Sequence, residues 1–218
     1  MSENLFNGIF KNKNVLVTGH TGFQGSWLSL WLKLLGSNVV GYALEPPTQP
    51  SLFETLSLEH ETKHIIGDLR DKEKLSSVIN QNQPEIIFHL GAQALVRRSY
   101  KEPLETLETN IIGTANLVNI CSSLNIKIIY FSTNYVYPNK KGVYKETDPV
   151  FPINNYAWSK LGGECAVQMY KNSLIIRACM TEYPFVHKYA FSNMFTNFIY
   201  HKDFIKIMEK ILNQKGVL

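Results

Sequence analysis

Tyr156 and Lys160 stand four residues apart in Tyr156-Ala157-Trp158-Ser159-Lys160. On a helix that spacing puts a phenol and an ammonium on one face. A phenol beside a cation can exchange a proton with an alcohol or carbonyl oxygen, and Thr133, in Ser132-Thr133, could orient that oxygen. A second constellation is Gly19-His20-Thr21-Gly22-Phe23-Gln24-Gly25. In a turn between a strand and a helix, Gly19 would allow the bend and Gly22 would let backbone amides approach a pyrophosphate. Gly25 would permit close packing, with Thr21, Phe23 and Gln24 filling the loop. Phosphates would then sit at the helix N-terminus. A purely structural glycine turn is the alternative.

The flanking sequence supplies that context. Residues 14–18 (NVLVT) read as a strand, a helical period runs from Trp27 to Leu35, and Gly36 precedes a second strand at 38–44. The proline-rich stretch from Glu45 to Ser51 reads as an exposed loop at that strand's end. Strands follow at 64–66, 85–90, 127–132 and 173–177, alternating with helices at 71–80, 103–124 and 156–170. This alternation predicts a Rossmann-type, doubly wound α/β domain over residues 1–177, with a mostly parallel sheet. Residues 178–218 are expected to form a shortened substrate lobe, with an amphipathic helix over 201–214 and the start of a strand at Gly216. Around the cleft, Asp68 could accept from an adenine amino group, or cap the helix that starts near Asp71. Leu69, its neighbour, is expected to line the cofactor site as well. Leu90, Gly91 and Ala92 end the fourth strand with small residues suited to close approach of a cofactor, or to tight packing. A lysine charge beside an oxidised nicotinamide ring would bring the Tyr156 pKa down towards neutrality.

Composition narrows the class. The 218 residues carry 22 basic and 18 acidic side chains, scattered without a basic stripe, so no nucleic-acid partner is expected. No stretch is long and apolar enough to span a bilayer, and the N-terminus has no signal-peptide pattern; a cytoplasmic protein without a membrane partner is expected. Cys121, Cys165 and Cys179 lack paired spacing, which predicts reduced, mostly buried thiols and no metal site.

These motifs together resemble the extended short-chain dehydrogenases/reductases of the NAD-dependent epimerase/dehydratase family. Residues 14–119 are similar to CDP-glucose 4,6-dehydratases in GHTGFQGSWLSLWL, GYALEPPTQPSLFE, PEIIFHLGAQALVRRSY and ETNIIGTANL. Residues 131–164 look like dTDP-4-dehydrorhamnose reductases, whose pattern runs STDYVF, E-x-D, P, then YGxSKxxGE. The resemblance implies a nucleotide-sugar substrate, NAD or NADP as cofactor, and Thr133, Tyr156 and Lys160 as catalytic groups. Lys160 would also hold a ribose hydroxyl. Glu45 stands near the second strand's end and no arginine follows it, which favours NAD. The resemblance also implies a homodimer through helices 103–124 and 156–170. Asn110 matches a family asparagine that supports the active site, or is a solvated helix residue.

Chemistry separates the two subfamilies. A 4,6-dehydratase needs acid/base groups directly after the threonine, as Asp-Glu or Asp-Lys, and here Asn134 and Tyr135 stand there. A carboxamide does not shuttle protons at neutral pH. Hydride transfer at C4 of a nucleotide-linked 4-keto sugar is therefore the expected reaction. Dehydration of the CDP-glucose type is one alternative; a shortened, non-catalytic cofactor-binding protein is another. Cys179 and His187 could act as epimerase acid/base groups, and Arg97 and Arg98 could meet a substrate phosphate, though buried thiols and solvated arginines are ordinary.

Overall fold

The computed structural model describes residues 5–138, 140, 142–181 and 199–218. Its strands are β1 (Asn14–Thr18), β2 (Asn38–Ala43), β3 (Lys63–Ile66), β4 (Ile86–His89), β5 (Lys127–Phe131), β6 (Ser173–Ile176), β7 (Met180–Thr181), β8 (Ile199–Tyr200) and β9 (Gly216–Val217). The principal helices are α1 (Phe23–Leu34), α2 (Leu52–Thr55), α3 (Leu58–Glu61), α4 (Lys72–Asn82), α5 (Val96–Lys101), α6 (Pro103–Leu107), α7 (Thr114–Leu124), α8 (Asn155–Gln168) and α9 (His201–Ile211).

Seven strands form one parallel sheet in the order β3-β2-β1-β4-β5-β6-β9. The doubly wound expectation is met, and the order reverses between β1 and β4, where such sheets open a ligand crevice at their carboxyl ends. Alternation along each strand divides the core. Leu16, Val40, Ile87, Ile128, Tyr130 and Ile175 face α4, α7 and α8, whereas Val15, Val17, Val39, Phe88, Ile129 and Leu174 face Phe10, Leu32, Met208 and Leu212. α9 and β9 thus belong to the layers of this sheet, although they lie beyond residue 177. β7 and β8 make a separate two-stranded parallel pair.

Three local features differ from expectation. The loop after β2 contains two short helices; Ser51 starts α2 with a capping box, accepting from the Glu54 N–H at 3.1 Å while the Glu54 carboxylate accepts from the Ser51 N–H at 3.1 Å. The short helix α5 follows β4. The single helix expected over 103–124 is interrupted by a π-helical turn, Glu108–Gly113, in which Asn110 and Gly113 are buried.

Candidate active site

The glycine loop sits at the switch point. Gly19 has φ +76°, and a Cβ on it would lie 2.8 Å from the Gly91 nitrogen, so the ends of β1 and β4 touch there. A Cβ on Gly25 would lie 2.1 Å from the Gly19 carbonyl oxygen, whereas one on Gly22 would reach only 3.4 Å. The tight position is therefore Gly25. Gly22 is the N-cap of α1 and, having no side chain, offers that helix's first turn no side-chain cap. Its amide ends remain oriented for an anion. Thr21 ties the loop to β2 by donating to the Leu44 carbonyl at 2.9 Å; Phe23 and Gln24 are exposed on the first turn. His20 is fully buried against Phe53 and pairs with His64 at 2.6 Å; burial, then His64, pushes it down to about 3. These contacts fit a pyrophosphate cradle.

Leu69 packs under the same crevice, since a Cβ on Gly91 would lie 2.8 Å from its Cδ1 and one on Gly113 2.8 Å from its Cβ. Leu90 continues the β1 ladder by donating to the Thr18 carbonyl at 3.2 Å, and Ala92 is half-buried beside it. Asp68 is gripped by Arg70, 2.6 Å from Nη2, and those hydrogen bonds hold its carboxyl below the usual range. The cap of α4 is instead Asp71, which accepts from the Lys74 N–H at 2.9 Å. Glu45 is exposed in the loop after β2. Arg98 is engaged by Glu102 at 3.0 Å and Glu105 at 2.8 Å, while Arg97 is exposed.

Asn110 is not solvated. Its side chain accepts from the Gln93 N–H at 2.8 Å and donates to the Gln93 carbonyl at 3.0 Å and to Ser159 Oγ at 2.8 Å. Ser159 in turn donates to the Tyr156 carbonyl at 2.7 Å. Asn110 thus joins the loop after β4 to the helix that carries Tyr156 and Lys160. A second chain runs beneath it. The Gly91 N–H donates to Thr18 Oγ1 (3.1 Å), Thr18 contacts His89 Nδ1 (2.7 Å), His89 Nε2 contacts Thr114 Oγ1 (3.0 Å), and Thr114 donates to the Asn110 carbonyl (2.7 Å). Burial, with the charge of Lys160 adding, pushes His89 down to about 3.

Tyr156 and Lys160 occupy the first turns of α8, capped by Asn154. Thr133 follows β5 and accepts from the Tyr135 N–H at 3.2 Å, opening a short turn that packs against α8. Lys160 is 3% exposed, its ammonium 4.1 Å from the centre of the Tyr130 ring, and burial brings it down to about 7 although Glu164 opposes this. Tyr156 is pushed up to about 12, by burial first and then by Cys179 and Tyr135. The lowering expected from the sequence is absent from the protein alone: the phenol is desolvated, and its neighbours Cys179 and Tyr135 would be anions if ionised. Cys179 is half-buried and burial raises its thiol; Cys121 is buried, but Cys165 is exposed, contrary to expectation. His187 lies outside the described residues.

Composition and spacing gave little hint of Glu164, His89, Thr18 and Thr114, which support the site from within the core. The signal for Glu164 was its place four residues after Lys160; the others lie in strand and helix runs that read as packing. Among the described residues no cluster of metal-ligating side chains occurs, and no helix is long and apolar enough to cross a membrane.

The parallel sheet, the glycine cradle at its switch point and the Tyr-x-x-x-Lys helix define a Rossmann-type short-chain dehydrogenase/reductase of the extended, epimerase/dehydratase kind. The chain belongs to the GDP-mannose 4,6 dehydratase family, whose profile matches residues 16–215. It is 45% identical over 168 residues to a CDP-glucose 4,6-dehydratase of Salmonella typhimurium, covering 75% of this chain and 47% of that one. A hypothetical dTDP-4-dehydrorhamnose reductase from Sulfolobus tokodaii superposes with a TM-score of 0.64 at 26% identity, over 78% of this chain and 57% of that one. MoeE5, solved in complex with UDP-glucose and NAD, shares the fold with a TM-score of 0.75 at 23% identity, over 94% of this chain and 74% of that one. The chain spans about half the length of the curated relatives it matches.

Proposed function

We propose that this chain is the cofactor-binding and catalytic part of a nucleotide-sugar oxidoreductase that reduces a 4-keto sugar to its alcohol at C4. The observation that carries the reading is the pairing of an intact Thr133, Tyr156 and Lys160 with Asn134 and Tyr135 where a dehydratase needs its acid/base pair. The 45% identical CDP-glucose 4,6-dehydratase supports the nucleotide-sugar class, and the Asn134-Tyr135 pair argues against the loss of water that needs acid/base groups there. The glycine cradle, Asp68, Leu69 and the segment Leu90 to Ala92 would hold NAD. Exposed Glu45 and the NAD bound in MoeE5 favour NAD over NADP.

NAD, when bound, supplies or accepts the hydride. Thr133 keeps its own hydroxyl proton to donate to the C4 oxygen, because its oxygen is already an acceptor for the Tyr135 N–H. Tyr156 delivers the proton. A phenol pushed up to about 12 holds that proton throughout the physiological range, which suits donation to an oxygen gaining alkoxide character. Lys160 anchors a ribose hydroxyl and sets the local potential. β7 and β8, outside the layers of the main sheet, would contribute to the substrate side of the cleft. Leu104, Leu107, Ile112, Trp158 and Met169 are exposed on the helices from α6 to α8, and we assign that apolar face to a homodimer. The three free thiols suit the reducing cytoplasm.

The test is a titration with NADH followed by a panel of nucleotide-linked 4-keto sugars, read as loss of nicotinamide absorbance. Oxidation of NADH by one of them is expected. NADH binding without turnover by any panel member would overturn the reductase reading, as would conversion of CDP-glucose to a keto sugar by the NAD-loaded protein.

A further inference from the structure

The turn that follows β3 is tied down through its backbone: the Tyr42 hydroxyl donates to the Asp68 carbonyl at 2.8 Å, and the Asn116 carboxamide of α7 donates to the Leu69 carbonyl at 3.2 Å. Its side chains add a second device. The Arg70 N–H donates to Asp68 Oδ1 at 2.8 Å, Nε reaches Oδ1 and Oδ2 at 3.0 Å each, and Nη2 donates to Oδ2 at 2.6 Å. The other arm of the guanidinium, Nη1, reaches Glu108 Oε2 at 3.5 Å, at the start of the π-helical turn. Arg70 is thus held at both ends. A partly exposed ion pair between residues this close in sequence adds little to stability. What the pair does set is direction, because a planar fork against a planar carboxylate admits few relative orientations.

We propose that Arg70 is a positioning residue for recognition of the cofactor's base: it fixes the Asp68 carboxylate as an acceptor of set direction, so that the site selects a purine bearing an amino group over one bearing an oxo group at the same ring position. The inference rests on the proposed function for the place of Asp68 at the adenine. A carboxylate offers about four acceptor positions. The Arg70 N–H, Nε and Nη2 take up three, with Nε shared between the two oxygens, and leave room for a base amino group. Paired in this way, Asp68 carries no proton to offer a ring oxygen, so an oxo base would set acceptor against acceptor. The neighbouring carboxylates do not take its place. Asp71 caps α4 by accepting from the Lys74 N–H, and Glu108 faces the Arg70 guanidinium.

The test compares the Kd of NADH with that of its deamino analogue, reduced nicotinamide hypoxanthine dinucleotide, in which an oxo group replaces the base amino group. The wild type is expected to bind NADH roughly tenfold or more tightly than the analogue. Arg70→Met is expected to bring the two Kd values within about threefold, chiefly by weakening NADH. In an Asp68→Ala background, Arg70→Met should leave the ratio unchanged, because Arg70 acts through Asp68. A wild type that does not discriminate overturns the proposal, as does an Arg70→Met protein that keeps the full ratio or weakens both ligands equally. Where Arg70→Met does not fold, Arg70→Lys decides: it keeps the charge without the fork, so a reduced ratio supports the proposal and an unchanged ratio overturns it. The readout needs neither sugar nor turnover. Selective NADH binding without reduction of any 4-keto sugar refutes the reductase reading alone, and turnover without base selectivity refutes this inference alone.

Discussion

Lys160→Met should change how the stability of this protein depends on pH, whatever it does to turnover. Burial brings Lys160 from the ordinary 10.5 to about 7 in the folded chain, at about 1.4 kcal/mol for each pH unit. The folded state therefore releases this proton near pH 7 and the unfolded state near pH 10.5. Between those values the unfolded chain binds the extra proton, so stability rises with pH across the window. Below pH 7 both states are protonated and the full cost of the buried charge, about 5 kcal/mol, weighs on the fold. From pH 6 to pH 9 the recovered part is about 3 kcal/mol. Methionine fills much the same space over Tyr130 and carries no charge, so the variant lacks this contribution. Urea unfolding of both proteins at intervals from pH 6 to pH 9 measures it. The wild type should gain about 3 kcal/mol on the variant over that range; parallel curves would refute the account of Lys160 as a desolvated amine.

Gly25→Ala should weaken NADH binding at least roughly tenfold and lower Tm, because its Cβ would meet the Gly19 carbonyl at 2.1 Å, while Gly22→Ala, with 3.4 Å, should leave Tm unchanged. Equal Tm losses would contradict the steric argument. Tyr156→Phe should reduce turnover by roughly a hundredfold or more and leave the NADH Kd within about twofold of wild type, since only the proton donor is removed. Retained turnover would remove Tyr156 from the chemistry. Leu107→Glu with Trp158→Glu should convert the proposed homodimer to monomer in analytical ultracentrifugation, because both side chains, 42% and 49% exposed, lie on the proposed apolar face. A dimer that persists would move the interface elsewhere.

The sheet was legible because its strands are short β-branched runs separated by helical periods. β1 lies where NVLVT stands, and the other strands of the main sheet end within two residues of expectation. The Ser51 capping box was equally plain in Ser51-Leu52-Phe53-Glu54, but the prolines before it drew the reading toward irregular loop. The π turn was not legible. Residues 103–124 carry an unbroken helical period, and what forces the extra residue into the turn is tertiary: Asn110 must meet both Gln93 and Ser159, and Gly113 must admit Leu69. For the candidate site, the glycine loop and the Tyr-x-x-x-Lys pair were readable as types at a spacing. The direction of the Tyr156 shift was not, because it depends on how deeply α8 is buried and on Cys179 and Tyr135 arriving from other elements.

The buried polar chain from Gly91 to Tyr156 explains why hydrophilic residues stand in strand and helix positions that could have been apolar. Thr18, His89, Thr114 and Asn110 are all almost wholly buried, so each unmatched donor or acceptor would cost free energy. The hydrogen bonds can be satisfied in one direction only. Thr18 accepts from the Gly91 N–H and must donate to His89 Nδ1; Thr114 donates to the Asn110 carbonyl and must accept from His89 Nε2–H. His89 is thereby confined to one neutral tautomer, which agrees with its proton affinity being driven far down. Because every proton is assigned, the loop at the end of β4 cannot shift against α8 without breaking a bond in the core. The edge of the cofactor cradle at Gly91 and the helix of Tyr156 and Lys160 are therefore held at a fixed spacing, as hydride transfer across that gap demands.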